Sequence, residues 1–149
     1  MNELFYYARE LEKLYPEDQM WVFHPQMRNS WRALMAAPGY NWTEANYASA
    51  QQQMPKVKQL FKRLYDAGVP LAIGTDLSAS GPFYLRELQL TQQAGLTHWQ
   101  VLKLATSGGA QHLGLDDHGQ LKPGYVADFI VLSSNPVNDL NALSSVHTV

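Results

Sequence analysis

The stretch from Ala67 to Asp76, Ala-Gly-Val-Pro-Leu-Ala-Ile-Gly-Thr-Asp, constrains the fold more than any other part of the sequence. A glycine follows an amphipathic run, as it does at the end of many helices. Val69 to Gly74 is short, apolar and without alternation, which is typical of a parallel strand buried on both faces. Asp76 stands at the carboxyl end of this strand, where parallel α/β barrels build their active sites. Asp76 is therefore a candidate catalytic residue, although an Asp at a strand end also serves as a helix cap or loop brace.

Helical patterns flank the predicted strand on both sides. Before it, an apolar face runs from about Thr43 to Ala67, and Pro55 is expected to kink this helix or restart it. After it, a helix is expected from about Pro82 to Ala94. Thr97 and Gln100 form a capping-box pattern that predicts the start of the next helix.

The character of the sequence changes after Gly114. Turn-forming residues are followed by a strong strand pattern over residues 127–132, and Val146 to Val149 resembles the start of another strand. The order of helices, strand, helices and then short strands indicates an α/β fold that passes into a small β-rich piece.

Composition excludes several classes of protein. The 149 residues are 46% hydrophobic and 16% charged, with a formal net charge of −2, so the chain is globular and carries no electrostatic footprint for nucleic acid or acidic lipid. There are no cysteines, which excludes disulfides and thiolate metal sites. No apolar run approaches the length of roughly 18 residues that spans a membrane. We expect a soluble chain with no signal peptide in the given sequence, in an undetermined compartment.

Three segments, in this order and spacing, resemble the amidohydrolase superfamily, in particular its imidazolonepropionase-like and Xaa-Pro dipeptidase-like branch. The first is the stretch from Ala67 to Asp76. The second begins at Glu87-Leu88 and continues through Ala94-Gly95-Leu96-Thr97 to Leu113-Gly114. The third is Gly119 to Leu132, followed by Asn135-Pro136 and Asp139-Leu140.

The resemblance implies an architecture. Members of this superfamily are (β/α)₈ barrels of the TIM type, joined to a small composite β-sandwich that both ends of the chain build. The chain would then be a C-terminal fragment: residues 1–114 the C-terminal part of the barrel, with its last strand at about 69–75, and residues 115–149 a partial sandwich segment.

The resemblance also implies a chemistry. In the family, the Asp at the end of the eighth strand is a metal ligand and transfers protons for the attacking water, and Asp76 matches that position. The intact enzyme would hydrolyse a C–N bond of a small amide, cyclic amide or dipeptide. One or two divalent metals, zinc by expectation, would activate the water, because a bound metal lowers the pKa of water.

The remaining metal ligands of the family are not evident in this chain. It contains no His-x-His pair, and four of its five histidines do not match ligand positions, because they lie after the Asp76 strand or far from any strand end; the five are His24, His98, His112, His118 and His147. A catalytic zinc usually takes about three protein ligands. We therefore expect this chain alone to bind no metal and to be inactive, and either to self-associate or to require the missing N-terminal portion.

Further residues have two interpretations each. His24, Arg28 and Ser78 are candidate substrate contacts, but each also suits an ordinary loop. Large aromatics crowd the first third of the chain and either line a pocket for a bulky substrate or pack onto barrel helices. Without the barrel, they would form an exposed apolar surface. The alternative function follows from them: a self-standing, non-catalytic domain that binds a protein partner through its aromatic N-terminal third.

Overall fold

The computed structural model describes residues 24–26, 29, 43–75 and 81–149. Most of the large aromatics of the first third, on which the alternative function depends, lie outside these residues. Among the described residues, no helix is both long and apolar enough to cross a membrane.

Helix α1, Glu44–Asp66, is the longest element of the described chain. It begins with a capping box: the Asn46 N–H donates to the Thr43 hydroxyl, and the Thr43 N–H donates to the Asn46 side-chain oxygen at 2.8 Å. The helix runs through Pro55 without interruption, so the predicted restart at this proline is wrong. Packing explains this, because the side chain of neighbouring Met54 is buried and anchors the middle of the helix.

Helix α2, Gly81–Gln93, is followed by a nearly continuous helical run. Helix α3, His98–Lys103, begins at the predicted Thr97–Gln100 capping box, in which both reciprocal hydrogen bonds are present. A π-helical segment, Leu104–Gly108, continues α3 into helix α4, Gly109–His112. The predicted helices after Pro82 and Thr97 are therefore confirmed.

The C-terminal part forms a small sheet. Strand β1, Val131–Leu132, pairs antiparallel with strand β2, Val146–Thr148, and a 3₁₀ helix, Leu140–Ser144, lies between them. The prediction of strands over residues 127–132 and from Val146 is confirmed in place, but β1 is shorter than predicted. Among the described residues there is no parallel pair of strands, so the barrel itself stays a prediction.

One hydrophobic cluster joins the helical and C-terminal parts. Leu88, Leu96, Val101 and Leu104 from the helical part surround Leu140 from the 3₁₀ helix. Helix α2 packs against α1, α3 and the 3₁₀ helix, so it is central to the described structure. The predicted domain boundary at residue 114 stays a prediction, although the core is continuous across it.

Candidate functional site

Helix α1 ends in a tight turn at Gly68, shortly before the predicted catalytic position in the sequence. Gly68 adopts φ +74°, a left-handed conformation that glycine reaches without strain. The N–H of Gly68 donates to the Tyr65 carbonyl at 3.0 Å, and the N–H of Val69 donates to the Leu64 carbonyl at 3.1 Å. This closure satisfies two of the last carbonyls of α1 and turns the chain toward residues 69–75.

Residues 71–75, the approach segment, alternate between half-buried and exposed. Leu71 and Ile73 pack against the hydrophobic cluster, whereas Ala72 and Gly74 are exposed. The prediction of a strand buried on both faces is wrong here, because the segment pairs with no other strand among the described residues. A strand needs neighbours for its backbone groups, and neighbouring strands also cover its second face.

The predicted site residues are not brought together in the described part of the chain. Asp76, Arg28 and Ser78 lie outside the described residues. His24 is exposed, and its Nδ1 accepts a hydrogen bond from the backbone N–H of Gln26 at 3.3 Å. That contact is local, so the proposed roles of all four residues stay predictions.

The described residues do not form a metal centre. Within residues 24–26, 29, 43–75 and 81–149, no three His, Cys, Asp or Glu side chains are placed to hold a metal ion. His98 makes a 2.9 Å hydrogen bond between its Nδ1 and the carbonyl of Val137, and His118 pairs with Asp117 at 2.6 Å. These two histidines therefore have structural partners at the surface. The residues present in the described part do not fit a catalytic zinc.

The approach segment borders a groove at its amino-terminal end. The groove has a volume of about 680 Å³ and lies between Gly68–Leu71 on one side and the run from Gln100 to His112 on the other. The groove therefore lies at the start of the approach segment.

Two residues on α2 carry features that the sequence analysis did not single out. Glu87 is buried, with 6% of its surface exposed. Its sequence position indicates this burial, because Glu87 lies at helical spacing from the apolar residues Phe83, Leu90 and Ala94. Tyr84 packs against the hydrophobic cluster, and burial raises the pKa of its phenol above the ordinary value of 10.0. Nothing in the sequence pattern distinguished Tyr84 from any other aromatic on the face of a helix.

A solved structure of a Xaa-Pro dipeptidase with bound methionine in its active site aligns with a TM-score of 0.58 and 23% identity, over 95% of this chain and 30% of that chain. At this identity, the likeness concerns the fold alone.

Several curated proteins are similar in sequence. Ochratoxinase from Aspergillus niger is 25% identical over 144 residues, which is 91% of this chain and 30% of that protein. Imidazolonepropionase from Deinococcus deserti is 42% identical over 83 residues, 53% of this chain and 21% of the relative. A 5-methylthioadenosine/S-adenosylhomocysteine deaminase from Carboxydothermus hydrogenoformans is 34% identical over 87 residues, 51% and 20% of the two chains. This chain therefore spans less than a third of the length of each.

A family model gives the assignment. The model described as "Amidohydrolase family" matches residues 24–149, which is most of the sequence. The relatives carry enzyme names, and the resemblance seen in the sequence is confirmed. This chain belongs to the amidohydrolase family.

Proposed function

We propose that this chain is the C-terminal part of a metal-dependent hydrolase of C–N bonds, and that Asp76 is its reacting carboxylate. The alternation of the approach segment carries the proposal. Leu71 and Ile73 pack toward the helices, and Ala72 is exposed on the other side with Gly74. Side chains two residues apart share a face in an extended chain, so this period, continued to residue 76, supports our proposal that Asp76 faces the same side as Ala72 and Gly74.

The exposed side of the segment suits an active site because its described side chains are small. Ala72 and Gly74 are exposed, whereas Leu71 and Ile73 pack against the hydrophobic cluster and hold the segment in place. A carboxylate that follows such a segment would take a proton from an attacking water and pass it to the leaving nitrogen.

The metal would be held mostly by residues outside this chain. The described residues do not complete a centre, so we propose that Asp76 contributes one ligand to a site of one or two zinc ions. We expect the isolated chain to take up far less than one zinc per chain from micromolar solution, measured by elemental analysis after dialysis. About one zinc per chain would contradict this expectation.

The substrate is proposed only as a class. The relatives have the names of a dipeptidase, a deaminase and an imidazolonepropionase, which differ in the molecule that they act on. The proposed class of a small amide, cyclic amide or dipeptide fits the dipeptidase and the imidazolonepropionase, whereas a deaminase releases an amino group; hydrolysis of a C–N bond is what the three names share. His24, Arg28 and Ser78 are the residues that we propose to contact it.

A segment replacement tests the role of Asp76. The matching segment of Deinococcus deserti imidazolonepropionase is replaced by the corresponding residues of this chain, and the relative's own reaction is assayed. We expect measurable activity that Asp76→Asn lowers by about a thousandfold or more, because general acid–base and metal-ligand roles are both lost. Asp128→Asn is the matched control, since Asp128 is an exposed carboxylate near the small sheet. Asp76→Asn activity within tenfold of the control would contradict the proposal.

A further inference from the structure

Helix α1 carries a local excess of positive charge. From Ala45 to Tyr65 it has four cationic side chains and no acidic one, although the whole chain has a formal net charge of −2. The four are Lys56, Lys58, Lys62 and Arg63. Lys58 and Lys62 are four residues apart, a spacing at which like charges destabilise a helix. The stability of the helix therefore does not account for this arrangement.

Three of these cations line one groove, which we call the basic groove. It lies between α1 and the end of α2 and has a volume of about 540 Å³, a size that suits a small molecule. None of the described residues that line it is acidic. Six of them have side chains that can donate hydrogen bonds to an anion; they are Gln51, Lys58, Gln59, Lys62, Arg63 and Gln93.

Contacts with the α2 side hold two of the cations in place. The Lys58 Nζ donates a hydrogen bond to the Gln93 Oε1 at 2.7 Å, which joins α1 to the end of α2. The aliphatic part of Lys62 lies beside Gly95, where a Cβ would come 3.5 Å from the Lys62 Cε. Lys62 also pairs with Asp66 at 2.6 Å, but such an exposed pair is weak and a ligand can compete with it. Side chains that are already held lose less conformational entropy when a ligand binds.

Hydrogen-bond donors remain available in the groove. Among the described residues, no hydrogen bond or ion pair involves the guanidinium of Arg63. A guanidinium is a planar fork that fits phosphate oxygens through two parallel hydrogen bonds. The ammonium group of Lys58 has three N–H donors, of which the bond to Gln93 uses one.

We propose that the basic groove binds a small anion that carries two phosphate groups. A phosphate ester carries about −1.5 to −2 charges at pH 7, so two such groups roughly balance the three cations. Lys58, Lys62 and Arg63 lie within about 8 Å along the helix axis, which suits a diphosphate better than an extended acidic peptide. The lining includes neither the approach segment nor a proposed substrate contact, so the inference does not rest on the proposed function.

The experiment titrates the full 149-residue chain with pyrophosphate, at constant ionic strength and without divalent metal, and follows binding by calorimetry. We expect one site per chain with a Kd below about 1 mM. Binding should weaken as salt is added, because salt screens exposed charges. No saturable binding up to about 10 mM, or binding of polyglutamate in place of pyrophosphate, would overturn the inference.

Matched variants locate the site. Lys58→Gln and Arg63→Gln each remove one cation of the groove, whereas Lys56→Gln removes the same charge from the same helix outside the groove. We expect each groove variant to raise the Kd about fivefold or more, because a charge-assisted hydrogen bond is lost, and the control to change it less than about twofold. An equal change in all three would mean that pyrophosphate responds only to overall charge, and would overturn the inference.

A labelling experiment on the parent chain gives the same answer without substitutions. Acetic anhydride modifies exposed lysine amines, and mass spectrometry locates the modified positions. We expect pyrophosphate to slow the modification of Lys58 and Lys62 but not of Lys56, which is exposed on the same helix. Equal slowing at Lys56, or unchanged modification of Lys58, would contradict binding in the basic groove.

Discussion

The helical run from Gly81 to His112 and the approach segment at residues 71–75 differ in how their backbone hydrogen bonds are satisfied. Each helix satisfies its backbone within itself and buries one face, as Val101 does with no exposed surface. The approach segment also buries one face, but its backbone hydrogen bonds need another strand. The difference teaches that helical parts of an α/β fold are locally complete, whereas its strands depend on distant sequence.

The small C-terminal sheet is intermediate between these two regions. Val131–Leu132 finds a partner in Val146–Thr148 within the chain. The residues just before it, Ala127 to Ile130, are exposed and make no backbone hydrogen bond with described residues. Among the described residues, strand pairing is therefore limited to Val131–Leu132 and Val146–Thr148.

Removing a core side chain should give the largest effect. Leu88→Ala leaves a cavity in the cluster that joins α2 to the 3₁₀ helix, and we expect it to lower the free energy of unfolding by about 2–5 kcal/mol. Leu121→Ala, at a side chain that is 78% exposed, is the control and should change it by less than about 0.5 kcal/mol. Urea denaturation followed by circular dichroism measures both. Equal effects would mean that the helical run is not a packed core.

Alanine substitutions at two glycines distinguish the cost of backbone strain from the cost of a steric clash. Gly119 and Gly114 have φ of +76° and +72°, so alanine at either costs about 1–2 kcal/mol of conformational strain. A Cβ at Gly119 would lie 2.8 Å from backbone atoms of Ser107, whereas Gly114 has open space. We expect Gly119→Ala to lower the unfolding free energy by about 1–3 kcal/mol more than Gly114→Ala does.

Thermal melts of the two glycine variants measure this difference. It tests whether the turn at Gly119 really packs on the π-helical segment, and so whether the C-terminal part is anchored to the helical run. Indistinguishable melts would contradict that close approach.

Loss of a helix cap should be smaller. Thr97→Ala removes the hydroxyl that accepts from the Gln100 N–H at 3.2 Å, and we expect a loss of about 0.5–2 kcal/mol in unfolding free energy. Thr97→Ser keeps the hydroxyl and should retain most of the stability. If Thr97→Ala and Thr97→Ser unfolded at the same urea concentration, packing alone would stabilise the start of α3.

The smallest effect concerns pH. Folding raises the pKa of Tyr84 by burial, so the folded state keeps its phenol proton above the pH at which the unfolded chain loses it. The stability linked to Tyr84 is therefore complete below pH 10.0 and falls as the pH rises from there through the folded pKa. Melts at neutral and alkaline pH should show a shallower alkaline loss in Tyr84→Phe. An unchanged slope would contradict the burial of the phenol.

Local signals in the sequence predicted the helical run well. The Thr97–Gln100 box and the glycine at position 68 each act within one turn, so neighbouring residues determine them. The pattern at Pro55 misled the prediction, because packing around Met54 is a tertiary effect that sequence spacing does not display. The family resemblance predicts the site at Asp76, which lies outside the described residues, so the geometry of that site stays a prediction.

Hydrogen exchange of the isolated chain tests the central comparison most directly. We predict slow exchange for the amides of α2 around Leu88 and Leu90, whose side chains are buried, and exchange at nearly the rate of an unstructured peptide for Leu71 to Gly74. Strong protection of Leu71–Gly74 in the monomeric chain would show that the approach segment already has a strand partner, and would contradict the account.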